Sequence, residues 1–206
     1  MIGRPAVPAS ITRRDLLRGG ALLATAPWLL RASAAFATGS AAAADSAATR
    51  PAGVPEGSPG EFDFLQGEWR IAHRWRKDAA SKEWIAFDGQ ATCWSILGGI
   101  GSVEELRIPA RNFSGMGLRL LDVERKLWSD FWVNSNSGVL VSPGTYGGFR
   151  GGVGTFVSED AEGDPPAMAR GVWDRITGRS HRWSQAVSFD RGATWAETWV
   201  MEWKKA

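Results

Sequence analysis

Gly67-Glu68-Trp69-Arg70-Ile71-Ala72-His73-Arg74-Trp75-Arg76 decides the reading of the chain, because its side chains sort into two faces with a period of two. Trp69, Ile71, His73 and Trp75 share one face; Glu68, Arg70, Ala72, Arg74 and Arg76 share the other. A segment with one aromatic and one charged face is a strand half-buried in an antiparallel sheet. The same rhythm continues to the C-terminus, punctuated by Gly, Pro, Asn or Asp at spacings of about 8 to 12 residues. The pattern predicts strands near 67–77, 83–95, 101–108, 115–123, 126–134, 137–142, 147–158, 166–176, 179–189 and 195–203. A sheet of that many strands curls or leaves aggregation-prone edges unless it closes. The expected fold is therefore all-β, a single antiparallel up-and-down β-barrel of about ten strands.

Alternation also selects the expected interior. Trp128, Asp130, Trp132 and Asn134 share a face, as do Arg170, Val172 and Asp174. Further on, His181, Trp183, Gln185 and Val187 share one, and Glu197, Trp199, Met201 and Trp203 another. Pointing inward, these faces give an aromatic lumen with a few polar groups, the makeup of a small-molecule site. The candidate ligand-binding residues are Trp69, His73, Trp75, Trp128, Asp130, Trp132, Arg170, Trp183, Gln185 and Trp199. An aromatic stripe also fills cores that bind nothing, so a solid interior stands beside the hollow one. Asp130 and Arg170, if inside, need each other or a polar ligand group, because an unpaired buried charge costs several kcal/mol. Glu104 and Glu105 are adjacent and point to opposite faces, which removes them as a catalytic carboxylate pair.

The glycines Gly144, Gly147, Gly148, Gly151, Gly152 and Gly154 precede no helix and match no phosphate loop; they mark the bends of a closing sheet. Ser188-Phe189-Asp190-Arg191-Gly192-Ala193-Thr194-Trp195 reads as a hairpin in which Asp190 bonds backbone amides, Gly192 takes positive φ and Trp195 covers the loop. Burial lowers the pKa of His73, whereas His181, beside Arg179 and Arg182, reads as solvated. Cys93 is the single cysteine, so no internal disulfide forms, and its apolar surroundings make it packing. The motifs of metalloproteases, zinc ribbons and α/β-hydrolases do not occur, and neither a cofactor nor a metal is expected.

Thr12-Arg13-Arg14-Asp15-Leu16-Leu17-Arg18, the apolar run Gly19–Leu30 and the small residues ending at Ala35-Phe36-Ala37 follow the order of a cleavable export signal. They resemble twin-arginine signals, which implies passage through the twin-arginine export machinery and a periplasmic or secreted location. The apolar run is short of the roughly 17 to 25 residues that span a bilayer, so no membrane span is expected after cleavage. Five arginines and Asp15 lie within 1–37, so the 24 basic and 22 acidic groups of the chain become 19 and 21 after cleavage. No basic stripe remains to neutralise phosphates, which disfavours nucleic acid as a partner. Residues 38–60 are almost all Ala, Gly, Ser, Pro and Thr and read as a disordered linker. The barrel domain is placed at 61–206.

Phe62-Asp63-Phe64-Leu65-Gln66-Gly67-Glu68-Trp69 and the closing segments Trp183–Trp195 and Trp199–Trp203 resemble a bacterial family of unknown function, domain of unknown function 1579. Leu120-Leu121-Asp122 with Trp128 and Trp132 fits its middle, and Arg191 stands where that family usually has glycine. The Gly67-Glu68-Trp69 opening is also similar to that of calycin and lipocalin barrels, whose Trp plugs the floor and is usually covered by an arginine near the last strand. These resemblances imply a barrel fold and assign no particular activity. The residues favour an exported binding protein for a small apolar or aromatic molecule. A cofactor-free lyase, isomerase or hydratase is the first alternative, with His73 as base, Asp130 as its partner and Arg170 as anion clamp. The second is a solid-core protein-interaction module.

Overall fold

Each of ten strands pairs antiparallel with its neighbours in sequence: β1 (Gly67–Trp75), β2 (Ile85–Ile96), β3 (Gly101–Ile108), β4 (Phe113–Asp122), β5 (Leu127–Asn134), β6 (Thr145–Arg150), β7 (Val153–Asp160), β8 (Ala167–Asp174), β9 (Ser180–Ser188) and β10 (Ala196–Lys205). β1 and β10 then pair from Trp69 opposite Lys205 to Trp75 opposite Trp199, which closes the barrel and removes both sheet edges. This computed structural model describes residues 50–160 and 165–206. The leader expected over 1–37 and the first part of the expected linker lie outside those residues.

The expected number of strands is present, but two assignments differ and offset each other. The apolar run at 137–142 is not a strand; it belongs to the connection between β5 and β6, where Val139, Leu140 and Val141 are exposed. The stretch expected as one strand at 147–158 turns back at Gly151 and Gly152, whose φ values of +60° and +78° suit a two-residue hairpin. Gly147 and Gly154 serve a different purpose from bending. A Cβ on Gly147 would meet Phe156 at 2.5 Å, and one on Gly154 would meet Phe149 at 2.6 Å. The two glycines let cross-strand aromatic rings lie on the backbone.

One end of the barrel is plugged by a short 3-10 turn, Asp63–Leu65, set between Phe62 and the start of β1. Phe62 packs edge-on to Trp128 at 4.9 Å and to Phe149 at 5.0 Å. Trp69 donates its indole N–H to the Leu65 carbonyl at 2.5 Å, which ties the plug to the first strand. The cation over the Trp69 ring is Lys205, 4.4 Å from its centroid. Residues expected in the linker join this closed end: Gly57 N–H donates to the Lys126 carbonyl, and Gly57 is buried against Trp128 and Leu121. A side chain at 57 would collide with the Trp128 ring, which is why only glycine fits there.

Candidate functional site

The interior divides into three levels. The closed end holds Leu65, Trp69, Trp128, Phe156, Trp173 and Trp203, none more than 2% exposed, so side chains fill this half of the barrel. Trp128 donates its indole N–H to Glu61 at 2.8 Å. His181 lies among these rings, 4.5 Å from Trp69 and stacked on Trp203 at 4.9 Å. That corrects the solvated reading: His181 is 2% exposed, because its position two residues before Trp183 puts it on the inward face. Burial, then the charges of Arg119 and Lys205, push its pKa down to about 3.

The middle level is a buried charge cluster. Arg119, which is fully enclosed, donates to Glu104 at 2.5 Å and stands 3.4 Å from Asp130. Its guanidinium also lies over Trp173 at 5.2 Å and Phe62 at 5.6 Å. Burial opposes the charge, but the two carboxylates outweigh it and hold Arg119 protonated. Gly117 makes the room, since a Cβ there would meet the guanidinium at 2.8 Å. Asp130 is therefore partnered by Arg119, a residue absent from the candidate set, and not by Arg170.

Arg170 is on the outside of the wall. The inward face of β8 is that of Ala167, Ala169, Gly171 and Trp173, and the Arg170 guanidinium stacks on Trp195 at 4.3 Å in the β9–β10 hairpin. The expected inward face Arg170, Val172 and Asp174 is thus the outward one; Gly171 carries no side chain, which disguised the alternation. Glu197 also faces out, where it contacts Arg182, because an extra residue at Thr198 shifts the register between Glu197 and Trp199. The hairpin itself matches expectation: Asp190 accepts from the Thr194 amide at 2.8 Å and hydroxyl at 2.6 Å, and Trp195 donates to the Gly192 carbonyl at 2.9 Å.

The open end collects six of the ten candidates: His73, Trp75, Trp132, Trp183, Gln185 and Trp199. Trp132, Trp183 and Trp199 are buried and form its floor, with Trp183 and Trp199 edge to face at 5.9 Å. Trp75, Phe87 and Phe113 are half-buried rings around it. Trp69, Trp128, Asp130 and Arg170 lie elsewhere, so the set is not one site.

His73 has a fixed role in this arrangement. Trp199 donates its indole N–H to His73 Nδ1 at 3.1 Å. An indole can only donate, so Nδ1 is the acceptor and the neutral ring carries its proton on Nε2. Burial, and then the nearby Arg111, lower the His73 pKa to about 3, which keeps the ring neutral near pH 7. His73 is thus a hydrogen-bond donor toward Nε2, not a base, and the expected constellation of His73, Asp130 and Arg170 is not assembled. Burial followed by the charge of Glu104 pushes the Cys93 thiol up, which makes it a poor nucleophile.

Arg111 completes the open end and was invisible to alternation because it sits in a turn. Pro109–Arg111 forms a 3-10 turn that ends at Asn112, whose φ of +46° reverses the chain. The Arg111 guanidinium then stacks on Phe87 at 4.4 Å and lies 5.0 Å from the Trp75 ring. Phe87 is held on its own account by His73, 4.8 Å away and nearly parallel at 13°.

Among the described residues, no group of three or more His, Cys, Asp or Glu is placed to hold a metal ion. An open trough of about 1260 Å³ on the outer face of β1, β2 and β10 is lined by residues of both charges, among them Arg70, Asp88, Glu202 and Lys204. No family model matches the chain, and comparison with curated proteins returned no match.

Proposed function

We propose that the protein binds a small apolar or aromatic molecule in the open end of the barrel. The observation that carries this reading is the ring of half-buried aromatics, Trp75, Phe87 and Phe113, over a floor of buried tryptophans at the end opposite the plug. Partly exposed rings beside buried tryptophans offer a ligand an apolar face to cover, and aromatic faces give shape selectivity beyond area burial. Delivery to the periplasm or beyond through the twin-arginine machinery is part of the same proposal, supported by the arginine pair and apolar run of residues 12–30.

Tryptophan emission of the full chain, titrated with fatty acids, aromatic acids and haem, tests it. A saturable change with one class supports the reading, and no response to any compound contradicts it. A second reading, a protein-contact module with a filled barrel, draws support from the exposed run Val139-Leu140-Val141 between β5 and β6. Under that reading the titrations stay flat.

A further inference from the structure

Resting on the small-molecule reading, we propose that the ligand is an aromatic carboxylate, its ring covered by Trp75 and the floor tryptophans and its carboxylate held by Arg111. Three polar groups at the open end have no partner among the described residues: Arg111 Nη1, Trp75 Nε1 and His73 Nε2. Every one is a donor. Arg111 carries five N–H groups and no acceptor, the indole donates only, and the tautomer fixed by Trp199 leaves Nε2 protonated. His73 Nε2 lies against β2 at Gly89, 2.5 Å from where a Cβ would stand, so Arg111 is the donor that carries the charge, and a full positive charge at this end favours an anion and repels a cation.

The charge at Arg111 is also uncompensated. It takes part in no ion pair among the described residues, in contrast to Arg119 and Arg182, which each face two or more carboxylates. Burial alone shifts its pKa, downward, with no carboxylate nearby to offset it. Its stacking on Phe87 and Trp75 holds the guanidinium in place, with Nη1 making no hydrogen bond among the described residues. A planar guanidinium so placed binds a carboxylate through two parallel hydrogen bonds. The surrounding rings demand that the rest of the ligand be flat and apolar.

Calorimetric titration of the full chain with 1-naphthoate, 1-naphthamide and 1-naphthylmethylammonium tests the proposal, since the three share a ring system and differ in charge. Charged hydrogen bonds lead us to expect naphthoate to bind about ten- to a hundredfold more tightly than the amide, with the ammonium weakest. Arg111→Gln removes the preference and leaves amide binding in place, which also shows that the variant is folded. Equal binding of acid and amide, or a preference that survives Arg111→Gln, overturns the carboxylate assignment and leaves the small-molecule reading standing. No binding of any of the three overturns the assignment together with the small-molecule reading on which it rests.

Discussion

Replacing Arg119 with Met removes the one cation of a cluster that contains two buried carboxylates. Glu104 and Asp130 are 2% and 6% exposed, so neither can turn to water when the guanidinium is gone. Removing one partner of a buried pair costs about 3–5 kcal/mol, because a charge is left without compensation. Loss of the stacking on Trp173 and Phe62 adds about 1–2 kcal/mol more for a desolvated cation. Even the lower end of that combined cost, about 4 kcal/mol, is a large part of the roughly 5–15 kcal/mol that domains possess. In urea, with a slope of about 2 kcal/mol per molar, the unfolding midpoint falls by about 2 M. The companion variant Arg119→Met, Glu104→Leu, Asp130→Leu removes all three charges together. It is expected within about 2 kcal/mol of the parent, since replacing an entire buried ionic cluster with apolar residues is close to neutral. Equilibrium unfolding followed by tryptophan emission and circular dichroism reads both. An Arg119→Met midpoint equal to the parent's, or a triple variant as unstable as the single one, refutes the reasoning.

Two further outcomes follow from the same geometry. His181 and His73 have folded-state pKa values near 3 against an ordinary 6.5, so below pH 6.5 the unfolded chain binds protons that the folded one does not. The contribution of each histidine is fully present above pH 6.5 and is lost toward pH 3 at about 1.4 kcal/mol per pH unit; the variant His181→Phe, assayed by urea unfolding across that window, has a slope shallower by about one proton's worth. Arg191 holds a φ of +57° in the β9–β10 hairpin, and Arg191→Gly is expected to raise stability by about 0.5–1 kcal/mol, read as a higher melting temperature.

The closed barrel is legible in the sequence because β1 and β5 alternate cleanly, and Trp69, Ile71 and His73 point inward as their period requires. Legibility fails where local chemistry imitates a strand or breaks the period. Val139-Leu140-Val141 has the β-branched, apolar look of a strand between Gly138 and Pro143, yet it crosses the rim with its side chains in solvent. In β8 the glycine at 171 leaves Arg170, Val172 and Asp174 as the more conspicuous set, and tertiary closure decides that the glycine and Trp173 face inward. In β10 the extra residue at Thr198 reverses the facing of Glu197 while Trp199, Met201 and Trp203 keep theirs. Arg119 does carry a sequence signal, since it shares a period of two with Gly115, Gly117 and Leu121, small and apolar positions that mark an inner face. Arg111 carries none: its place over Phe87 depends on a turn that brings β3 back into β4.

The indole N–H resonances of the full chain, followed in a proton–nitrogen correlation spectrum during titration with 1-naphthoate, report where in the barrel an aromatic carboxylate sits. Each of the 12 tryptophans contributes one indole signal, so the spectrum locates the ligand within the barrel. Saturable shifts are expected for Trp75, Trp132, Trp183 and Trp199 at the open end, with Trp69, Trp128, Trp173 and Trp203 unmoved. Shifts confined to the closed end or to exposed Trp94, or an unchanged spectrum at saturating ligand, contradict binding at the open end.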